Sequence, residues 1–261
     1  MRAMNIAATG MSAQQTYVEV TANNIANLNT TAFKRQRPEF QDLLYQNERR
    51  GGATSSDTGT IVPVGVQIGI GVKTAAVYRI TTQGNLTQTS NPLDVAIQGR
   101  GFFQILQPDG TTAYTRAGSF QLSPTGEIVT ADGFVVQPGI TLPQNTVGVT
   151  INASGQVQAQ VAGQTTPQTV GQLQLANFAN EAGLEALGNN LFQETPAAGS
   201  AVTGNPGAIG FGTINQGLLE TSNVDVVTEI TNLITAQRAY EMNSKVIQTA
   251  DQMQSTLNQI Q

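Results

Sequence analysis

The run Asn223-Val224-Asp225-Val226-Val227-Thr228-Glu229-Ile230 opens a stretch that reaches Ile260 without a Gly or a Pro. Those two residues most reliably stop a helix, so the stretch predicts one long helix. Apolar residues recur at Val226, Ile230, Leu233, Tyr240 and Ile247, then at Ala250, Met253, Leu257 and Ile260. The steps are mostly three and four, the period of a helix with one buried stripe. Ser222, with Asp225 three residues on, reads as a capping-box-like start, and Glu229 sits near the positive end of the helix dipole. Some 36 residues make a rod of roughly 54 Å. Such a helix needs a partner to cover its stripe. After Ile247 three-residue steps dominate, which predicts a phase change and a change of partner there.

The other end of the chain offers one. Met4, Ala8, Met11, Gln15, Val18, Ala22 and Ile25 are spaced four and three in alternation, a heptad row with Gly10 as its weak point. Between Met1 and Phe33 only Arg2 and Glu19 are charged, far too little for a solvated single helix. Two readings fit: an amphipathic helix packed on its own domain, or paired terminal helices whose other faces are buried against further copies. The small side chains (Ala, Asn, Gln, Ser, Thr) permit close packing on several sides and favour the second. The Asn cluster from Asn23 to Asn29 favours caps and turns and ends the first helix near Asn27.

Between the helices the pattern changes. Lys34 to Arg50 holds eight charges of both signs, a solvated or interface-forming segment rather than a nucleic-acid patch. Gly51 to Thr60 is Gly/Ser/Thr-rich and reads as flexible; Val64, Val66, Ile68 and Ile70 then alternate as in a strand. From about Val72 to Thr213, short apolar runs alternate with turns such as Pro108-Asp109-Gly110 and Ser123-Pro124-Thr125-Gly126. Turn signals this regular indicate antiparallel hairpins.

Composition narrows the chemistry. Only 11% of the 261 residues are charged, against roughly 25% in average soluble domains, and the net charge is −5. Nucleic acid is therefore an unsuitable partner. No apolar run approaches the roughly 18 residues of a membrane span. His and Cys are absent, which excludes Ser-His-Asp and Cys-His catalysis and the common zinc and copper sites. Carboxylate-only chemistry remains open, as in a glycan-hydrolysing or glycan-binding β-domain, but it needs two acids converging in an aromatic cleft. Glu181 and Glu185 are spaced as on one helical face, without a third polar anchor. Gly99-Arg100-Gly101 is followed by strand-like residues, so it reads as a bulge or tight turn rather than a phosphate loop.

Several stretches resemble the bacterial flagellar rod and hook family. Ala22-Asn23-Asn24-Ile25-Ala26-Asn27-Leu28-Asn29-Thr30-Thr31-Ala32-Phe33-Lys34 is similar to its N-terminal signature, with Ala32 where the signature usually has Gly. Ser222-Asn223-Val224-Asp225-Val226-Val227 and the run Ala236 to Lys245 resemble its C-terminal signature. Leu93 to Gln104 and Ala113 to Phe120 match its middle domain. Tyr45 to Gly71 resembles the additional segment of the distal-rod branch; the proximal-rod branch is the close competitor, and the chain has no room for the extra outer domain of hook proteins.

The expected fold class is α+β, with N- and C-terminal helices paired as a coiled-coil-like unit and an inserted, mainly antiparallel all-β domain. The expected division is 1–30 and 222–261 for the paired helices, 31–71 for an extended arm, 72–213 for the β-domain and 214–221 for the return linker. Expected subunit-interface residues are Met4, Met11, Val18, Ile25, Phe33, Val64, Val66, Ile68, Val226, Ile230, Leu233, Tyr240, Ile247, Met253 and Leu257. The resemblance implies a non-enzymatic, cofactor-free subunit of a straight, hollow helical drive shaft in the basal body, where the distal rod spans the periplasm. Its implied partners are copies of itself, other rod proteins, the hook protein, the P-ring and L-ring, and the flagellar type III export machinery. It implies export as an unfolded chain without a cleaved signal, and terminal helices disordered in the free subunit.

Overall fold

The computed structural model describes residues 2–49, 51 and 64–260. Most of the Gly/Ser/Thr run read as flexible lies outside them. The chain forms two compact units: residues 1–26, 36–79 and 225–261 make the first, and residues 27–35 and 80–224 the second.

The first unit holds both helices, α1 (Arg2–Ala26) and α2 (Val226–Ile260). The α2 cap is Asp225 rather than the expected Ser222: the Thr228 N–H donates to Asp225 Oδ1 at 2.8 Å, and the Glu229 N–H reaches Asp225 O at 3.0 Å. Ser222 Oγ instead accepts the Val224 N–H at 3.3 Å. The two helices run antiparallel, with Gly10 against Asn243 and Asn24 against Glu229. A Cβ on Gly10 would meet the Asn243 amide nitrogen at 3.0 Å. The expected weak point is thus a place of close approach. The α1 residues that become buried are Ala7, Ala13, Val20, Thr21 and Asn24. At about 100° per residue they centre about a third of a turn away from the heptad row. Met4, Met11, Val18 and Ile25 are only half-buried, and Ala8, Gln15 and Ala22 are exposed. This corrects the reading of that row as the pairing face: small residues let the helices approach on another side.

Among the described residues four strands complete the unit: β1 (Gln36–Asp42), β2 (Tyr45–Arg49), β3 (Val66–Gly69) and β4 (Val72–Arg79). β1 pairs antiparallel with β4, and β2 with β3. Main-chain bonds from Leu43 N to Gly71 O (2.8 Å) and from Ile70 N to Leu44 O (3.2 Å) join the two ladders into one long arm. The arm begins against α1. Tyr17 packs beside Phe40 with ring centroids 6.4 Å apart, and Thr9 Oγ1 accepts the Val72 N–H at 3.3 Å. The described residues of the expected 31–71 segment are therefore mostly strands, and their partner is Val72–Arg79.

The second unit is antiparallel β. Its largest sheet runs through Glu185–Gly188, Leu191–Gln193, Thr112–Thr115, Phe102–Leu106, Val135–Val136, Ile128–Val129 and Gln121–Leu122. Leu175–Asn177 adds to Phe102–Leu106, and Val202–Gly204 to Leu175–Asn177. A separate meander, Thr146–Ile151, Gln156–Val161 and Gln168–Gln172, stands beside the shared core. That core is Val95, Ile97, Phe103, Ile105, Phe120, Ile128, Val157, Leu173, Leu175 and Ile214, all nearly inaccessible to water. Ladders of Thr213–Gln216 on Val95–Gln98 and of Leu218–Glu220 on Leu86–Gln88 give the return segment 214–221 strand structure.

Candidate functional site

Three of the signature stretches converge inside the second unit. Lys34 closes the N-terminal one, Arg116 lies in the middle one, and Glu220 stands two residues before the C-terminal one; all three side chains are buried. Glu220 Oε2 accepts from Arg116 Nε at 2.6 Å, and Glu220 Oε1 accepts from Lys34 Nζ and from the Gly84 N–H at 2.9 Å. Lys34 Nζ also donates to Thr82 O at 2.9 Å. The Ala32 N–H donates to Glu220 O at 2.8 Å, with Ala32 at φ +56°, the left-handed region that explains the Gly usual at this position. Burial pushes the Glu220 pKa up, but the nearby positive charges of Arg116 and Lys34, with the Lys34 and Gly84 hydrogen bonds, outweigh it and hold the carboxyl below its usual range. Burial depresses the Lys34 pKa, and Glu220 offsets only part of that.

The Gly99-Arg100-Gly101 loop belongs to this cluster. Gly99 and Gly101 have φ of +108° and +136°, which is the expected tight turn. The Gly101 carbonyl accepts from Arg116 Nη1 at 2.9 Å, and the Gly99 carbonyl accepts from Nη2. A phosphate loop would direct N–H groups at an anion; this one directs oxygens at a cation. Sequence reasoning missed the cluster. The available signal was two lone charges, Arg116 and Glu220, set in uncharged stretches such as Leu218-Leu219-Glu220.

Asparagines of the signatures hold main chain. In the second unit, Asn223 Oδ1 accepts the Arg35 N–H at 2.7 Å, and its amide donates to Ile80 O and Thr82 O. In the first, Asn24 Oδ1 accepts the Gln36 N–H and its Nδ2 donates to Gln36 O, both at 2.8 Å. Nδ2 also reaches buried Glu229 at 3.3 Å.

The expected interface residues stay accessible. Met4, Met11, Val18, Ile25, Phe33, Val226, Leu233 and Ile247 are half-buried. Val64, Val66, Ile68, Ile230, Tyr240 and Met253 are exposed. The Leu257 side chain lies outside the described residues. Among the described residues of α2 the two buried ones are Glu229 and Ala236, and the half-buried ones mix small and polar side chains (Asn232, Ala239, Asn243) with Val226, Leu233 and Ile247. Large apolar side chains that the single-stripe reading passed over point to water: Val227 (76% exposed), Ile234 (45%), Met242 (68%) and Val246 (44%). Leu44 and Tyr45 do the same on the arm.

The acids of the second unit are engaged separately. Asp94 accepts from Asn91, Asp109 from Thr111, Glu181 from Arg100, and Glu194 from Tyr114. Glu181 lies in a 3-10 turn and Glu185 in a strand, so the two do not share a helical face. Among the described residues no helix is long and apolar enough to cross a membrane.

Comparison with known proteins matches three family profiles. Residues 4–34 match "Flagella basal body rod protein", residues 96–159 match the "Flagellar hook protein FlgE/F/G D1 domain", and residues 215–260 match the "Flagellar basal body rod FlgEFG protein C-terminal". The chain is 62% identical to the flagellar basal-body rod protein FlgG of Caulobacter vibrioides, covering 100% of this chain and 99% of that protein. It is 56% identical to FlgG of Agrobacterium fabrum (99% and 98% covered) and 38% identical to FlgG of Bacillus subtilis (97% and 96% covered).

Proposed function

The chain belongs to the flagellar basal-body rod family, and from that premise we propose that it polymerises through its helix pair and arm into the straight, hollow distal part of the rod. It is a structural subunit of the flagellum basal body. The observation that carries the finer reading is the division of labour on α2. Its buried residues Glu229 and Ala236 are polar or small, while Val227, Ile230, Ile234, Met242, Val246 and Met253 remain exposed. A lone soluble helix pair would place its large apolar residues on the covered side. An open filament grows from heterologous contacts that do not close, so both faces of each subunit carry interface.

The arm extends the same reading. β2 is exposed throughout and β3 nearly so, and a two-stranded ladder alone in water is marginal. Cover from neighbouring subunits would stabilise the arm and stiffen the polymer. Torque transmission to the hook, passage through the P-ring and L-ring, contact with other rod proteins, and export through the type III machinery without a cleaved signal complete the proposal, supported by the family resemblance. Negative-stain microscopy of the polymerised chain tests it: short, straight, hollow filaments are expected, and curved filaments or closed rings would overturn it.

A further inference from the structure

The exposed face of α2 changes identity partway along the helix. At about 100° per residue, Val227, Ile230 and Ile234 fall within about 60° of one another, nearly opposite Ala236. One turn further, the same side carries Arg238, Glu241 and Lys245. The apolar surface reappears as Met242, Val246 and Met253, about 100° round the helix from the first group. On that second line the N-terminal half has Thr231 and Thr235, whose hydroxyls donate back to Val227 O and Thr231 O, each at 2.8 Å.

One neighbour lying along a straight helix cannot cover two stripes on sides about 100° apart, the first of them cut off by charge. α1 covers neither, because these six residues remain 44–76% exposed after the helices pair. The chain itself holds a complement: the α1 row Met4, Met11, Val18 and Ile25 is uncharged and none of it is fully buried. The lengths agree as well. The two stripes span about 10 Å and about 16 Å, and the α1 row about 31 Å, enough to take one stripe on each half.

The geometry points to two separate docking faces on α2, each occupied by a different copy of this chain: Val227–Ile234 seats one neighbour and Met242–Met253 another, each on half of an α1 row, while Arg238, Glu241 and Lys245 stay in water. This rests on the polymer reading above and specifies its contacts. A full-length chain carrying a photoreactive phenylalanine analogue at both Ile234 and Met253 is diluted into a large excess of unlabelled chain, polymerised, irradiated and separated under denaturing conditions. Single labels at either position are expected to yield covalent dimers, and the double label covalent trimers. Dimers alone from the double label, or no cross-linked product from filaments that do form, overturn the two-neighbour assignment and leave the polymer reading standing. Failure of the unlabelled chain to form filaments overturns both.

Discussion

Arg116 reaches Glu220 across 104 positions of sequence, its Nε 2.6 Å from the carboxylate Oε2. With Lys34 on the other oxygen, one carboxylate fastens the start, middle and end of the second unit. Removing one member of a buried ion pair typically costs about 3–5 kcal/mol, since the remaining charges are stranded without water. Glu220→Ala should therefore destabilise the second unit by about that amount, measured by urea denaturation. A midpoint near that of the parent chain would show that the cluster contributes little.

The same cluster sets an acid limb. The Glu220 pKa is held below its ordinary value of 4.5, so the folded state binds the proton less tightly than the unfolded chain does. Its stabilisation is fully present above pH 4.5 and is lost as pH falls through the depressed pKa. Lys34 has the opposite effect at neutral pH. Its pKa is depressed from 10.5, so its charged form costs stability until pH rises through the folded value. Stability measured from pH 7 down to pH 2 should fall less steeply in Glu220→Gln than in the parent. Equal slopes would contradict the assignment.

Ala32 sits at φ +56°, where an L-residue costs roughly 1–2 kcal/mol, and Gly gives back roughly 0.5–1 kcal/mol through chain entropy. Ala32→Gly is expected to raise stability by up to about 1 kcal/mol, read from the thermal or urea midpoint. A lowered midpoint would mean that the Ala32 methyl packs more usefully than its backbone strain suggests.

Replacing residues 46–69 by a short turn should leave β1 and β4 paired and both units folded, with far-ultraviolet circular dichroism reduced only by the missing strands. The polymers should be curved or more compliant in electron micrographs. Straight filaments of unchanged stiffness would remove the arm from the mechanism.

Which features were legible in the sequence follows from how local their causes are. The span of α2 could be read from the absence of Gly and Pro, and the antiparallel hairpins from Pro-Asp-Gly and similar turns, because both signals sit in the residues themselves. The face on which α1 pairs could not. Gly10 reads as a defect in the heptad row, yet it lies opposite Asn243, whose amide nitrogen an added Cβ would crowd at 3.0 Å. The partner of β1 was equally hidden: nothing in Val72–Arg79 distinguishes it from the inserted strands, and only pairing places it in the arm. Lys34, Arg116 and Glu220 are far apart in sequence, so their meeting could not be read from any local pattern. The cap moved from Ser222 to Asp225 because either residue satisfies the composition rule and only the backbone path decides between them.

On the reading proposed above, the apolar residues exposed on α2 are covered by other copies of the chain in the polymer. Met242 and Met253 are 68% and 62% exposed in the subunit, and each carries a thioether that peroxide converts to the sulfoxide at a rate set by access. Their oxidation rates, followed by mass spectrometry in the free chain and in its polymer, report that cover residue by residue. Both rates are expected to fall at least several-fold on polymerisation; equal rates in the two states would mean that no neighbour covers these side chains.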